Sequence, residues 1–115
     1  AIFVDVDSRH AVSSTVKPAV LPAVGDRQFS VAATNLENFF DDEDDPSIRE
    51  DIVTKEAFAV RLKKISGAIR EYLQMPDIIG IVEAENLAAL KKLAEKINSD
   101  AVAAGKSNPK YEAFL

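Results

Sequence analysis

PDIIGIVEAEN, residues 76–86, is the stretch on which the fold turns. Pro76 disfavours helical geometry in the residue before it, so a helix must stop near Met75. IIGIV (78–82) is apolar at both parities, the pattern of a strand covered on both faces. Glu83 follows that strand. Asn86 then precedes Leu87, Leu90, Leu93, Ala94 and Ile97, which share one helical face. This predicts a helix from about Leu87 to Ile97, with Asn86 as its N-cap.

Toward the amino terminus, Phe58, Leu62, Ile65, Ile69 and Leu73 recur at spacings of four, three, four and four. They predict a helix over 55–74, capped by Thr54 and weakened at Gly67. FSVAAT (29–34) is short, apolar and bounded by polar residues, and reads as a strand. A strand–helix–strand crossover makes its two strands parallel. Their carboxyl ends then lie at one edge of the sheet, where open α/β sheets bind ligands. Asn35 follows the first strand and Glu83 the second, so topology alone brings both to one rim. Toward the carboxyl terminus, Gly105 and Pro109 mark a loop, and YEAFL (111–115) reads as the start of another strand. The fold class is therefore α/β (α+β). Residues 1–27 hold two short strand-like runs, IFVDV and AVSSTV. Pro18, Pro22 and Gly25 then interrupt any regular element, so 1–27 reads as a lead-in or linker to a unit over 28–115.

The chain has 115 residues, 47% apolar and 29% charged, with a net charge of −5 and no cysteine. This is the composition of one globular domain or part of one, without disulfides or thiolate zinc sites. No run is long and apolar enough to span a membrane. AIFVDVDSRH shows neither a basic n-region nor an apolar h-region, so no signal peptide is expected there. The acidity is local: residues 41–51 (DDEDDPSIRED) hold seven acids and one Arg. Nothing resembles a basic groove for nucleic acid, so such a partner must be argued from site chemistry.

Hard oxygen donors gather around the predicted rim. Asn35 and Glu83 lead, with Asn38, Glu85 and Asn86 as secondary candidates. A carboxylate and an amide suit Mg²⁺ or Mn²⁺, and Ca²⁺ is also compatible. Mg²⁺ typically takes one or two protein carboxylates and leaves its other positions to water and phosphate. The competing role is plain: Glu83 ends a strand and Asn86 caps a helix.

VAATNLENFF (31–40) followed, one helix later, by PDIIGIVEAEN resembles the endonuclease/exonuclease/phosphatase superfamily, whose fold is DNase-I-like. Its first motif is a strand ending in Asn and its second an apolar strand ending in Glu. GKSNPKYEAFL resembles the approach to the next strand, so the resemblance covers residues 28–115. It implies the amino-terminal half of a four-layer α/β sandwich. By analogy Asn35 is the active-site Asn near metal and scissile phosphate, and Glu83 is the metal-ligand Glu. It further implies divalent-metal-dependent phosphodiester hydrolysis with DNA or RNA as the leading substrate. The same scaffold serves sugar and inositol phosphates and sphingolipids. In the family a His acts as general base, and an Asp and an Asn bind phosphate. This chain departs there: its only His is His10, upstream of the first motif, and no Asp-x-Asn or Asp-His follows Glu83. The chain alone is therefore expected to be inactive, and its half-sandwich to associate with itself or with the carboxyl-terminal half. The lead-in resembles the entry to nuclease domains of larger secreted bacterial proteins, which favours a secreted or periplasmic location.

His10 reads as a solvated surface residue. The acidic run reads as a solvated loop, with a loose second cation site as the alternative. It is not an EF-hand: counted from Asp41, position 6 is Pro46 and position 12 is Ile52. Ser47 and Glu50 have capping-box spacing. Other readings of the whole chain stay open. They are a non-catalytic binding or scaffold module, a phosphatase for a small phosphoester, and an unrelated α/β interaction domain.

Overall fold

The structure is a computed structural model that describes residues 19–44, 46–47 and 52–115. IFVDV, AVSSTV, His10 and part of the acidic segment, Glu50 included, lie outside the described residues. The order is β1 (Val31–Phe39), α1 (Lys55–Gly67), a π-helical continuation (Ala68–Tyr72), β2 (Ile78–Ala84) and α2 (Leu87–Ala103). The fold is mixed α/β. β1 and β2 are parallel, in register from Val31 opposite Ile78 to Asn35 opposite Val82. A crossover through α1 connects them, as the sequence predicts.

The helix ends follow from local chemistry. The Thr54 hydroxyl accepts from the Ala57 N–H at 3.1 Å, capping α1. The helix closes with a wide turn, Leu73 N–H to Ala68 C=O at 3.1 Å. Gln74 (φ 58°) and Met75 (φ 54°) then reverse the chain ahead of Pro76. Asn86 caps α2 through the Ala89 N–H at 2.7 Å. α2 runs past the expected Ile97 to Ala103, because no breaker intervenes and Ala101 is fully buried. It stops in a Schellman motif. Gly105 takes the left-handed conformation (φ 75°), and Lys106 N–H bonds Ala101 C=O while Gly105 N–H bonds Val102 C=O, both at 2.9 Å.

The core forms where α1 and α2 meet one face of the strand pair. Leu36, Phe39, Phe58, Ile69, Ala89, Leu93 and Ile97 are its buried members, and Leu62, Ile65, Ile79 and Ile81 pack against them. The Phe39 and Phe58 rings are tilted, with centroids 5.5 Å apart. Ser66, fully buried, pins the helices together. Its hydroxyl donates to Asp100 Oδ2 at 2.7 Å and accepts from Arg70 Nε at 3.1 Å.

Three expectations need correction. β1 does not end at Thr34 but continues to Phe39. The reason is burial: Leu36 and Phe39 are core residues, and pairing resumes at Phe39 opposite Ala84 after a bulge. Among the described residues, IIGIV is covered on one face only. Val31, Ile78 and Val82 are 62%, 57% and 57% exposed on the other, with Ala33 and Gly80 between them. YEAFL forms no strand. The Tyr111 backbone is held by the Asn98 side chain, which accepts its N–H at 2.8 Å and donates to its C=O at 3.0 Å. Its hydroxyl donates to Pro76 C=O. A cavity of about 520 Å³ lies between this tail, β2 and α2, lined by Ile79, Ile81 and Leu93 among others. Among the described residues no helix is long and apolar enough to cross a membrane.

Candidate metal centre at the strand-end rim

The two strands are tied at both ends by side chains. At their start, the Asp77 carboxylate accepts the Ser30 N–H at 2.7 Å and the Ser30 hydroxyl at 3.1 Å. The Ser30 backbone N–H is the main reason the Asp77 carboxyl sits below its ordinary range. At their carboxyl ends, Asn35 Nδ2 donates to Glu83 Oε1 at 2.6 Å. The two leading sequence candidates thus meet at one rim.

Strand alternation alone does not produce this meeting. Asn35 shares parity with Val31 and Ala33, so it stands on the open face of the sheet. Glu83 shares parity with Ile79 and Ile81, which face the helices. The left-handed backbone at Glu83 (φ 62°) breaks that alternation and leaves its side chain exposed beside Asn35. Glu37 (φ 51°) and Asn38 (φ 57°) are left-handed too. Such conformations cost an L-residue on the order of 1 kcal/mol each. Here their N–H groups face the site: Glu37 N–H donates to Asn35 Oδ1 at 2.7 Å, and Asn38 N–H to Glu83 Oε2 at 3.2 Å.

The secondary candidates are placed differently. Asn38 reaches Glu83 through its backbone. Glu85 and Asn86 turn to the start of the acidic segment: Glu85 Oε2 accepts the Asp41 N–H at 2.7 Å, and Asn86 Nδ2 donates to Asp41 Oδ2 at 3.3 Å. Asp41 is 2% exposed and also accepts the Glu43 N–H at 2.8 Å. Its neighbours in the chain are held by Lys92, which bonds Glu43 at 2.7 Å and Asp42 at 3.2 Å. The bond to Glu43 raises the Lys92 pKa. Burial alone would raise the Asp42 carboxyl, but Lys92 beside it brings it below its ordinary value. This part of the acidic segment is thus docked on α2 rather than simply solvated.

Three participants escape the sequence reading: Arg61, Asp41 and Lys92. Arg61 sends its guanidinium to the carbonyls of Leu36 (2.5 Å), Asn38 (3.0 Å) and Glu37, and lies over the Phe39 ring. On an amphipathic helix a charged residue beside the apolar stripe signals a solvated flank, so nothing in the pattern singles it out. Asp41 is indistinguishable from the acids that follow it until Phe39 is known to be buried.

The donor set suits a hard cation. Each Glu83 oxygen accepts one of these hydrogen bonds, and a carboxylate oxygen has two acceptor sites, so one remains on each. Among the described residues no group of three or more His, Cys, Asp or Glu is placed to hold a metal ion. Glu83 stands there as a single carboxylate, a number within the one or two that Mg²⁺ sites take. Comparison of the chain with protein-family models, with curated proteins and with solved structures finds no match.

Proposed function

We propose that Asn35 and Glu83 form the amino-terminal share of the divalent-metal centre of a phosphodiester hydrolase, acting on nucleic acid, of endonuclease/exonuclease/phosphatase type. The observation that carries the reading is the 2.6 Å contact between Asn35 and Glu83 at the carboxyl-end rim of two parallel strands. The open apolar sheet face opposite the helices supports the finer architecture, one half of a DNase-I-like sandwich.

In this reading Glu83 holds Mg²⁺ or Mn²⁺. A divalent ion held there would supply polarisation of a phosphoryl oxygen and stabilisation of charge on the leaving oxygen. The amide of Asn35 keeps the Glu83 carboxylate oriented through one Nδ2 hydrogen and has the other to donate to a phosphate oxygen. Asn38 N–H fixes the second carboxylate oxygen. No residue at a matched position supplies the general base, a contribution typically worth about 10² to 10⁴ in rate. The 115-residue chain therefore binds metal without turning substrate over.

Mn²⁺ titration of the isotope-labelled chain tests the reading. Expected is paramagnetic broadening centred on Asn35 and Glu83, lost in Glu83→Gln. Broadening centred on Asp41–Asp44, or an affinity unchanged in Glu83→Gln, overturns it. Plasmid cleavage with Mg²⁺ should stay at background. Robust turnover abolished by Glu83→Ala would show that the chain carries its own base.

A further inference from the structure

The bulge between Asn35 and Phe39 divides its backbone groups between two sides. Its N–H groups face the rim: Glu37 N–H meets Asn35 Oδ1 at 2.7 Å and Asn38 N–H meets Glu83 Oε2 at 3.2 Å. Its carbonyls face α1, where one guanidinium, that of Arg61, donates to three of them, those of Leu36, Glu37 and Asn38. Two successive residues in the bulge are left-handed without being glycine, a conformation that costs energy unless its surroundings hold it. Arg61 is well placed to hold it. It projects from α1, whose start is fixed by the Thr54 cap, and its guanidinium carbon lies 5.9 Å from the centroid of the buried Phe39 ring.

We propose that Arg61 is the positioning residue of the Asn35–Glu83 pair. By gathering three carbonyls on one side of the bulge it aims two N–H groups at the pair on the other. It touches neither Asn35 nor Glu83 through a side-chain bond and acts only through the backbone between them. A planar fork of five donors can serve three acceptors at once, which a lysine ammonium on a flexible stem does poorly. The consequence for metal affinity rests on the reading of the pair as a metal centre. The consequence for backbone geometry does not.

The experiment compares the full chain with Arg61→Met, Arg61→Lys and Glu83→Gln, following amide hydrogen exchange and Mn²⁺ affinity. Arg61→Met is expected to accelerate exchange at Glu37 and Asn38 by about tenfold, the loss of roughly one hydrogen bond's restraint. Exchange at Leu93 in the core should be unchanged. Mn²⁺ affinity should fall about 10- to 100-fold, as when a ligand loses its supporting contact. Arg61→Lys should fall between the two. Wild-type exchange at both amides in folded Arg61→Met overturns the proposal. So does equal acceleration at Leu93, which would mark a merely structural residue. If Arg61→Met does not fold, Arg61→Lys decides: wild-type exchange and affinity there overturn the proposal equally. If Glu83→Gln leaves Mn²⁺ affinity untouched, the metal reading falls, and exchange at Glu37 and Asn38 alone decides the role of Arg61.

Discussion

Asn35 and Glu83, 48 residues apart in the chain, share a hydrogen bond of 2.6 Å at the rim of the strand pair. The amide is the neutral partner of a carboxylate, and that neutrality has a testable consequence. Asn35→Asp puts two carboxylates in one site, where like charges resist joint ionisation. The folded state then prefers to keep a proton that the unfolded chain releases near pH 4. Stability is therefore retained in acid and lost as pH rises, by no more than about 1 kcal/mol at neutral pH, because solvent screens two exposed side chains. Thermal melts from acid to neutral pH should show this slope, and millimolar Mg²⁺ should reverse it. A pH-independent melt would mean that the two groups do not sense each other.

Ser66 is fully buried between α1 and α2 and donates to Asp100. Ser66→Ala removes that donor and should cost about 1–3 kcal/mol in urea unfolding. Burial by itself would raise the Asp100 carboxyl, but bonds from Lys96 and Ser66 outweigh it and hold the group below its ordinary value. A depressed carboxyl contributes stability that is present above its unfolded value of about 4 and lost as pH falls through the folded one. The wild-type chain should weaken on acidification there, and Ser66→Ala should weaken less steeply. Parallel acid limbs would locate the effect elsewhere.

Tyr111 reports on the carboxyl-terminal tail. Burial, and then the charge of Asp77, push its phenol up from 10.0 to about 12. A raised phenol favours the neutral form in the folded state. Stability is thus complete below about pH 10 and is lost as pH climbs toward 12. Ultraviolet titration should show one phenol ionising only near pH 12. Tyr111→Phe should erase that alkaline loss and, without the bond to Pro76, cost about 1 kcal/mol at neutral pH.

The open sheet face predicts association. Val31, Ile78 and Val82 are each more than half exposed, and Phe29 is 72% exposed nearby. Contiguous bare apolar surface is rare on monomers, and open strand edges invite pairing. Light scattering after size exclusion should find the chain associated at micromolar concentration, and Val82→Lys should shift it toward monomer. A wild-type monomer that binds no apolar dye would show that the face is already covered.

Much of this architecture follows from local pattern. The stripe from Phe58 to Leu73, the caps Thr54 and Asn86, and the apolar run 78–82 specify two helices and a strand, because each depends on neighbours one turn or two residues away. Once the order strand–helix–strand is read, chain chirality makes the strands parallel and sends Asn35 and Glu83 to one edge. What remained beyond the sequence depends on partners distant in the chain. β1 extends to Phe39 because the helices offer Leu36 and Phe39 a core. YEAFL stays out of the sheet because Asn98 satisfies the Tyr111 backbone. Glu83 turns toward Asn35 against strand alternation, in a left-handed conformation that no propensity favours. Arg61, 22 residues away on α1, holds the neighbouring bulge that braces the pair. Periodicity places residues on faces and at edges; only the packed structure, by deciding which backbone groups find partners, sets where the side chains at the rim point.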